Sequence, residues 1–165
     1  MIYYTGVGSR EIPDEMYAIL QESAKELCTQ YGYTIRTGCA IGSDQAFREA
    51  VPQNVVIYTP DNVRRYNNYH VAREIAQQIH PKWKNLRSEY VRKLHTRNVY
   101  QVLGCDLNTP SKFLLCYTND GCVDGSKTSV DTGGTGQAIR IAHRFGVPII
   151  NIKSENWIDK LLEII

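Results

Sequence analysis

Short apolar runs alternate with longer segments in which apolar residues recur at spacings of three and four. Tyr3 and its neighbours, Tyr33 to Thr37, Val55 to Tyr58, Lys112 to Tyr117 and Val147 to Ile152 read as strands. Between them, Met16, Leu20, Ala24, Leu27 and Tyr31 place an amphipathic helix over Asp14 to Tyr31, which Gly32 ends. A short helix is expected up to Ala50, with Ser43 or Asp44 as its N-cap, and Trp157, Ile158, Leu161, Leu162 and Ile165 mark the apolar face of a closing helix. From Asp61 to Gly104 the pattern turns helical: Val71, Ile75 and Ile79 mark one helix, His80-Pro81 breaks it, and Leu86, Tyr90 and Leu94 lead another that runs to about Leu103. A polar and mobile loop is expected from Thr118 to Asp131. This alternation predicts an α/β fold: an open, mostly parallel sheet with crossover helices and a helical excursion over about 61–104, all in one domain spanning 1–165.

The glycine loops change this from a fold into a site. Thr132-Gly133-Gly134-Thr135-Gly136 lies between a strand and a helix, where backbone N–H groups and the helix N-terminal field favour an anion. Gly6-Val7-Gly8-Ser9-Arg10 follows the first strand, and Gly38-Cys39-Ala40-Ile41-Gly42 the second. Ligands of a parallel open sheet lie at the carboxyl ends of its strands, so these loops should converge. The first is not the dinucleotide fingerprint, because Glu11 stands where the third glycine belongs, and no Gly-Lys-Ser/Thr makes a phosphate loop of the NTPase type. Ser9 and Arg10 supply a hydroxyl and a guanidinium suited to a phosphate or ribose edge. Asp44 either accepts ribose hydroxyls, acts as a base, or caps its helix, while Arg97-Asn98 either line the pocket or are solvated. Ser43, Thr118 and Cys39, a thiol inside a glycine loop, complete the candidate ligand contacts.

Composition narrows the partners. Hydrophobic residues make up 42% and charged residues 22%, near globular averages, and no apolar run approaches the roughly 18 residues of a membrane span. The amino terminus reads as a strand, not a signal peptide, so a soluble, cytoplasmic protein without a membrane partner is expected. Five cysteines without a Cys-x-x-Cys pair predict neither a disulfide framework nor a metal site, and the residues demand no cofactor. The net charge is only +2, yet Asp61 to Gln101 holds nine Lys/Arg against three acids. That excess suits an acidic ligand, DNA or a solvated face.

Taken in order, Gly8-Ser9-Arg10, Arg36-Thr-Gly-Cys-Ala-Ile-Gly-Ser-Asp-Gln-Ala-Phe47, Arg97-Asn98 and Thr132-Gly-Gly-Thr-Gly136 resemble the motifs of the SMF/DprA and Lonely Guy (SLOG) superfamily. The likeness is nearest to stand-alone, phage-type DNA-recombination-mediator or DNA-processing protein A-like members. It covers nearly the whole chain and implies a Rossmann-like fold, a nucleotide ligand and, as is common in the group, a homo-oligomer. Lonely Guy phosphoribohydrolases carry Pro-Gly-Gly-x-Gly-Thr-x-x-Glu; here Thr132, Gln137 and Arg140 replace the proline, the threonine and the catalytic glutamate.

Three functions follow as expectations. A non-catalytic protein would bind a nucleotide-derived small molecule, with Arg10 and Arg97 neutralising charge; in a phage-infected host's cytoplasm this would sequester a nucleotide immune signal. A nucleotide N-glycosidic hydrolase would need a carboxylate near the ribose, from Asp44, Asp106, Asp120 or Asp131. Binding of single-stranded DNA, as in DNA-processing protein A, would use the basic excursion, with Tyr66, Tyr69, Trp83 and Tyr90 for stacking.

Overall fold

The computed structural model describes residues 1–165. Five strands, β1 (Ile2–Gly8), β2 (Tyr33–Thr37), β3 (Val55–Ile57), β4 (Leu114–Tyr117) and β5 (Ile149–Asn151), form one sheet in the order β3-β2-β1-β4-β5. All neighbours are parallel, with Ile2 opposite Tyr33 and Thr5 opposite Leu114 in the registers that flank β1. The fold is an open, Rossmann-like α/β sheet.

Helices cover both faces, so the strands are apolar on both sides. On one face α1 (Asp14–Tyr31), α2 (Ser43–Ala50) and α7 (Trp157–Ile164) pack Leu20, Leu27, Phe47 and Leu161 against Tyr4, Ile35, Leu115 and Ile150. On the other, α3 (Pro60–Val63), α4 (Tyr69–Ile79), α5 (Glu89–Leu103) and α6 (Thr135–Arg144) bring Val63, Ala76, Val99, Leu103 and Ile139 onto Val7, Leu114, Cys116 and Ile149. In β4 the alternation is complete: Leu114 and Cys116 enter one core, Leu115 and Tyr117 the other.

Helix α1 has the predicted bounds, stopped by Gly32 at φ 72°, a left-handed position that costs glycine nothing. The helical excursion is not an appendage. It is the crossover from the edge strand β3 to β4, and α5 lies on the sheet with Val99, Tyr100 and Val102 fully buried. Helix α2 is capped differently from expectation. Gly42 is its N-cap, and Ser43 and Asp44 stand inside its first turn, with no side-chain capping bond. The loop from Thr118 to Asp131 holds two short 3-10 turns, Gly125–Lys127 and Val130–Thr132, and is organised around Asp120. That carboxylate accepts hydrogen bonds from the hydroxyls of Thr118, Ser129 and Thr132 and from the Cys122 amide, so the segment is a bonded structure, where a mobile loop was expected. Its pKa is pushed up by burial, but these hydrogen bonds outweigh that and hold it below the usual carboxylate value.

Candidate nucleotide site

Strand β1 connects through α1 to β2 on one side, while β4 connects through α6 to β5 on the other. The strand order therefore reverses between β1 and β4. At such a point the loops leaving adjacent strands diverge and open a crevice at their carboxyl ends. A cavity of about 950 Å³ lies there. Gly8 to Pro13 form its wall after β1, Tyr117 and Asn119 after β4, Gly133 to Thr135 at the start of α6, and Val91, Leu94, His95, Arg97, Asn98 and Gln101 line it from α5.

The wall after β1 is strapped to α2. Gly8 allows the strap, because a Cβ there would stand 2.5 Å from Ser43 Oγ and 2.7 Å from the Tyr117 carbonyl oxygen. Arg10 follows at the exposed rim.

The floor lies at the end of β2. A Cβ on Gly38 would stand 2.5 Å from Arg97 Nη1 and 2.8 Å from Gln101 Nε2, and would collide with Asp44 Oδ2. Three buried polar side chains, Asp44, Arg97 and Gln101, thus gather around a glycine that makes room for them. Asp44 accepts a hydrogen bond from the Ala40 amide at 3.3 Å. Burial pushes its pKa up to about 6, against the opposing pull of Arg97, the Ala40 amide, Arg48 and Arg10. The Arg97 guanidinium is 7% exposed and has no carboxylate within 4.0 Å. Its Nη1 donates to the Tyr58 carbonyl at 3.2 Å and its Nε has no partner. Both polar atoms of the Gln101 amide and His95 Nδ1 are likewise buried without partners. His95 is packed 4.6 Å from His80, ring to ring. Its pKa falls to about 4, chiefly through burial and then through the positive surroundings of His80, Arg140 and Arg97.

Opposite this floor, Gly133 at φ 67° turns the chain into α6, and Gly134 is the helix N-cap. Nothing lies within 4 Å of a Cβ built on either glycine, so their backbone stands open to the cavity. Positioned at the start of a ten-residue helix, this loop is suited to a phosphate.

Of the sequence candidates, Gly8, Ser9, Arg10, Asp44, Arg97, Asn98, Gly133, Gly134 and Thr135 line the cavity together. The others do not. Gly6 lies inside β1, where a Cβ would strike the Phe47 ring at 2.8 Å; its role is packing. Gly38 makes room for the floor, and Cys39 is exposed with its sulfur near Arg97 Nη1 at 3.9 Å. The Ser43 hydroxyl bonds the Ser9 carbonyl, Thr118 and Thr132 bond Asp120, and Gly136 is packed against Arg140. Among the carboxylates proposed for hydrolysis, Asp44 and Asp131 reach the cavity. Asp106 and Asp120 instead bond their own loops. Arg140 donates to Thr128 and Gln137 away from the lining. The proposed stacking set also separates: Trp83 is buried beneath Arg73 and Arg92, Tyr66 packs on Tyr100, and Tyr90 is 58% exposed. His95 and Gln101 were not singled out in the sequence. The signal for them is their spacing from Arg97 and Asn98 on one helix, at positions a buried helix face would fill with apolar residues.

No protein-family model matches the chain, and no curated protein matches it. Among solved structures it is similar to DNA processing protein A from Helicobacter pylori, in a study of that protein's single-stranded DNA binding mode, with a TM-score of 0.57 and 19% identity over 98% of this chain and 72% of that one. At that identity the likeness is one of fold. No helix is long and apolar enough to cross a membrane.

Proposed function

We propose that the cavity between β1 and β4 binds a nucleotide-derived small molecule, with a phosphate at Gly133-Gly134-Thr135 and Arg10. The observation that carries this reading is Arg97: a buried guanidinium with no carboxylate within 4.0 Å and an unpartnered Nε, on a cavity that is also lined by a glycine-opened helix N-terminus. A buried charge is stable only when paired or hydrogen-bonded; the Tyr58 carbonyl and the nearby Asp44 compensate Arg97 in part, and an anionic ligand would complete that compensation. The motif order shared with the SLOG group supports the same ligand class. Binding without turnover is the simpler form of this reading, since Arg140 stands at the position of the Lonely Guy glutamate.

The solved neighbour favours a second reading, in which the nucleotide belongs to single-stranded DNA. A strand offers the same phosphates, and the basic α3–α5 crossover would add long-range attraction.

Equilibrium dialysis against AMP, ADP, ADP-ribose and a dT12 oligonucleotide, followed by mass spectrometry of what is retained, separates these. Intact retention of a mononucleotide, lost in Gly134→Asp, supports the first reading. Retention of dT12 alone, weakening steeply with salt, supports the second. Recovery of free adenine would establish hydrolysis, and retention of none of the four would overturn both.

A further inference from the structure

We infer that the mouth of the cavity is a slot for a heterocyclic ring: Val91, Leu94 and Val130 cover its flat faces, and the Asn98 amide reads its edge. This rests on the nucleotide reading above and adds the part of the site that senses the base.

On α5, Val91, Leu94, Asn98 and Gln101 line the cavity at spacings of three and four, so they form one stripe along the helix. Because α5 leads into the amino end of β4, its first turns lie at the carboxyl edge of the sheet, where the cavity opens. The stripe is anchored at its far end, where the Gln101 carbonyl accepts the Thr5 hydroxyl of β1 at 2.6 Å. Val91 and Leu94, both half-buried, stand about 10 to 15 Å before that point, toward the mouth.

Val130 comes from the loop that enters α6, is 96% exposed and lines the same cavity. It is not held there loosely. Ser129 and Thr132, on either side of it, both donate their hydroxyls to Asp120, and the Thr132 hydroxyl accepts the Ser129 amide. A branched aliphatic side chain fixed in water is stabilised when a ligand covers it. Gly133 is three residues further along, at most about 11 Å away, so one nucleotide can set its phosphate there and its base against Val130.

Asn98 is 6% exposed and lines the cavity one turn below Leu94. Its amide makes no hydrogen bond within the chain, yet its oxygen and nitrogen are not sealed off as those of Gln101 are, so both stay open to a ligand. A phosphate would use the donor alone, whereas the edge of a nucleobase sets a donor beside an acceptor and satisfies both. Asparagine pairs with adenine in this way, through an exocyclic amine and the ring nitrogen next to it. A ring without the exocyclic group leaves the Asn98 oxygen unpaired and is bound less well.

The test is isothermal titration of the intact protein with AMP, with purine riboside 5′-monophosphate, which lacks the exocyclic amine, and with ribose 5-phosphate, which lacks the base. AMP should bind about 30-fold or more tightly than ribose 5-phosphate, and about 5-fold or more tightly than purine riboside 5′-monophosphate. In Asn98→Leu the second ratio should fall to about 2-fold or less. Val130→Ser alters a side chain that stands in solvent, which guards against an Asn98→Leu variant that does not fold. Its AMP affinity should drop about 3-fold or more with ribose 5-phosphate unchanged. AMP bound no more tightly than either analogue, or ratios that survive in both variants, would overturn the inference while leaving the phosphate site intact. Failure of all three probes to bind would overturn the nucleotide reading and this inference with it.

Discussion

Ser43 donates both its backbone amide, at 3.1 Å, and its hydroxyl, at 2.8 Å, to the carbonyl oxygen of Ser9. One residue at the start of α2 thus holds the loop after β1, and with it Arg10, in a fixed relation to the loop after β2. Removing the hydroxyl in Ser43→Ala leaves the amide bond in place, so the expected loss is modest, about 1 kcal/mol in urea unfolding. Nucleotide affinity should fall about 3-fold or more if the strap positions Arg10 for binding. Titration of wild type and variant with AMP checks this.

Gly6 packs directly against the ring of Phe47. A methyl group at Gly6 would sit 2.8 Å from the ring, in a fully buried core, so Gly6→Ala should destabilise by about 1 to 3 kcal/mol. Phe47→Leu in the same chain should return part of that loss, as a double-mutant cycle by urea denaturation would reveal.

Gly134 has helical φ and ψ of −61° and −25° and open space where a Cβ would stand. Gly134→Asp should therefore leave thermal stability unchanged or raised, since the backbone suits any L-residue, the space is open and a carboxylate at the helix N-terminus complements the helix dipole. The new carboxylate would occupy the anion position, and AMP affinity should drop by about 30-fold or more. Paired thermal melts and titrations test both halves.

Asp44 links the site to pH. Its folded pKa of about 6 is above the ordinary carboxylate value of 3.8, so its contribution to stability is fully present below about pH 4 and is lost as pH rises through 6. Asp44→Asn stays uncharged, so relative to wild type it should be more stable by about 1 to 3 kcal/mol near pH 7.5 and indistinguishable near pH 4. His80 and His95 act in the opposite sense. Burial lowers each pKa to about 4, so their contribution is present above 6.5 and lost as pH falls toward 4. Comparing variant with wild type at each pH cancels the histidine contribution and isolates Asp44.

Asp120 anchors the loop that carries Val130 to the cavity rim, where that side chain is 96% exposed. Asp120→Ala removes the acceptor for Thr118, Cys122, Ser129 and Thr132 at once. Limited proteolysis should then cut between residues 118 and 132 faster than in wild type.

The sequence was most legible where the signal is local. Asp14 to Tyr31 shows its helix in the spacing of Leu20, Ala24 and Leu27, and Gly32 its end, because a left-handed stop needs only one residue without a Cβ. The loop at Gly133 and Gly134 could be read the same way, as a glycine turn entering a helix. Gly6 and Gly8 look alike in the sequence, yet one packs on Phe47 and the other lines the cavity. The difference lies in what each faces, and Phe47 comes from a helix three elements further along the chain.

By itself the sequence determined the alternating strands and helices, the parallel α/β class and the glycine loops, since periodicity and backbone preference act over a few residues. Only the tertiary structure decided that β1 pairs with both β2 and β4, placing the reversal of strand order, and so the cavity, between Gly8 and Tyr117. It also decided that α5 turns His95, Asn98 and Gln101 into that cavity while burying Val99 and Val102 against the sheet. A helix face acquires a role from what packs opposite it, and for α5 that partner is a set of strands and loops far away in the chain.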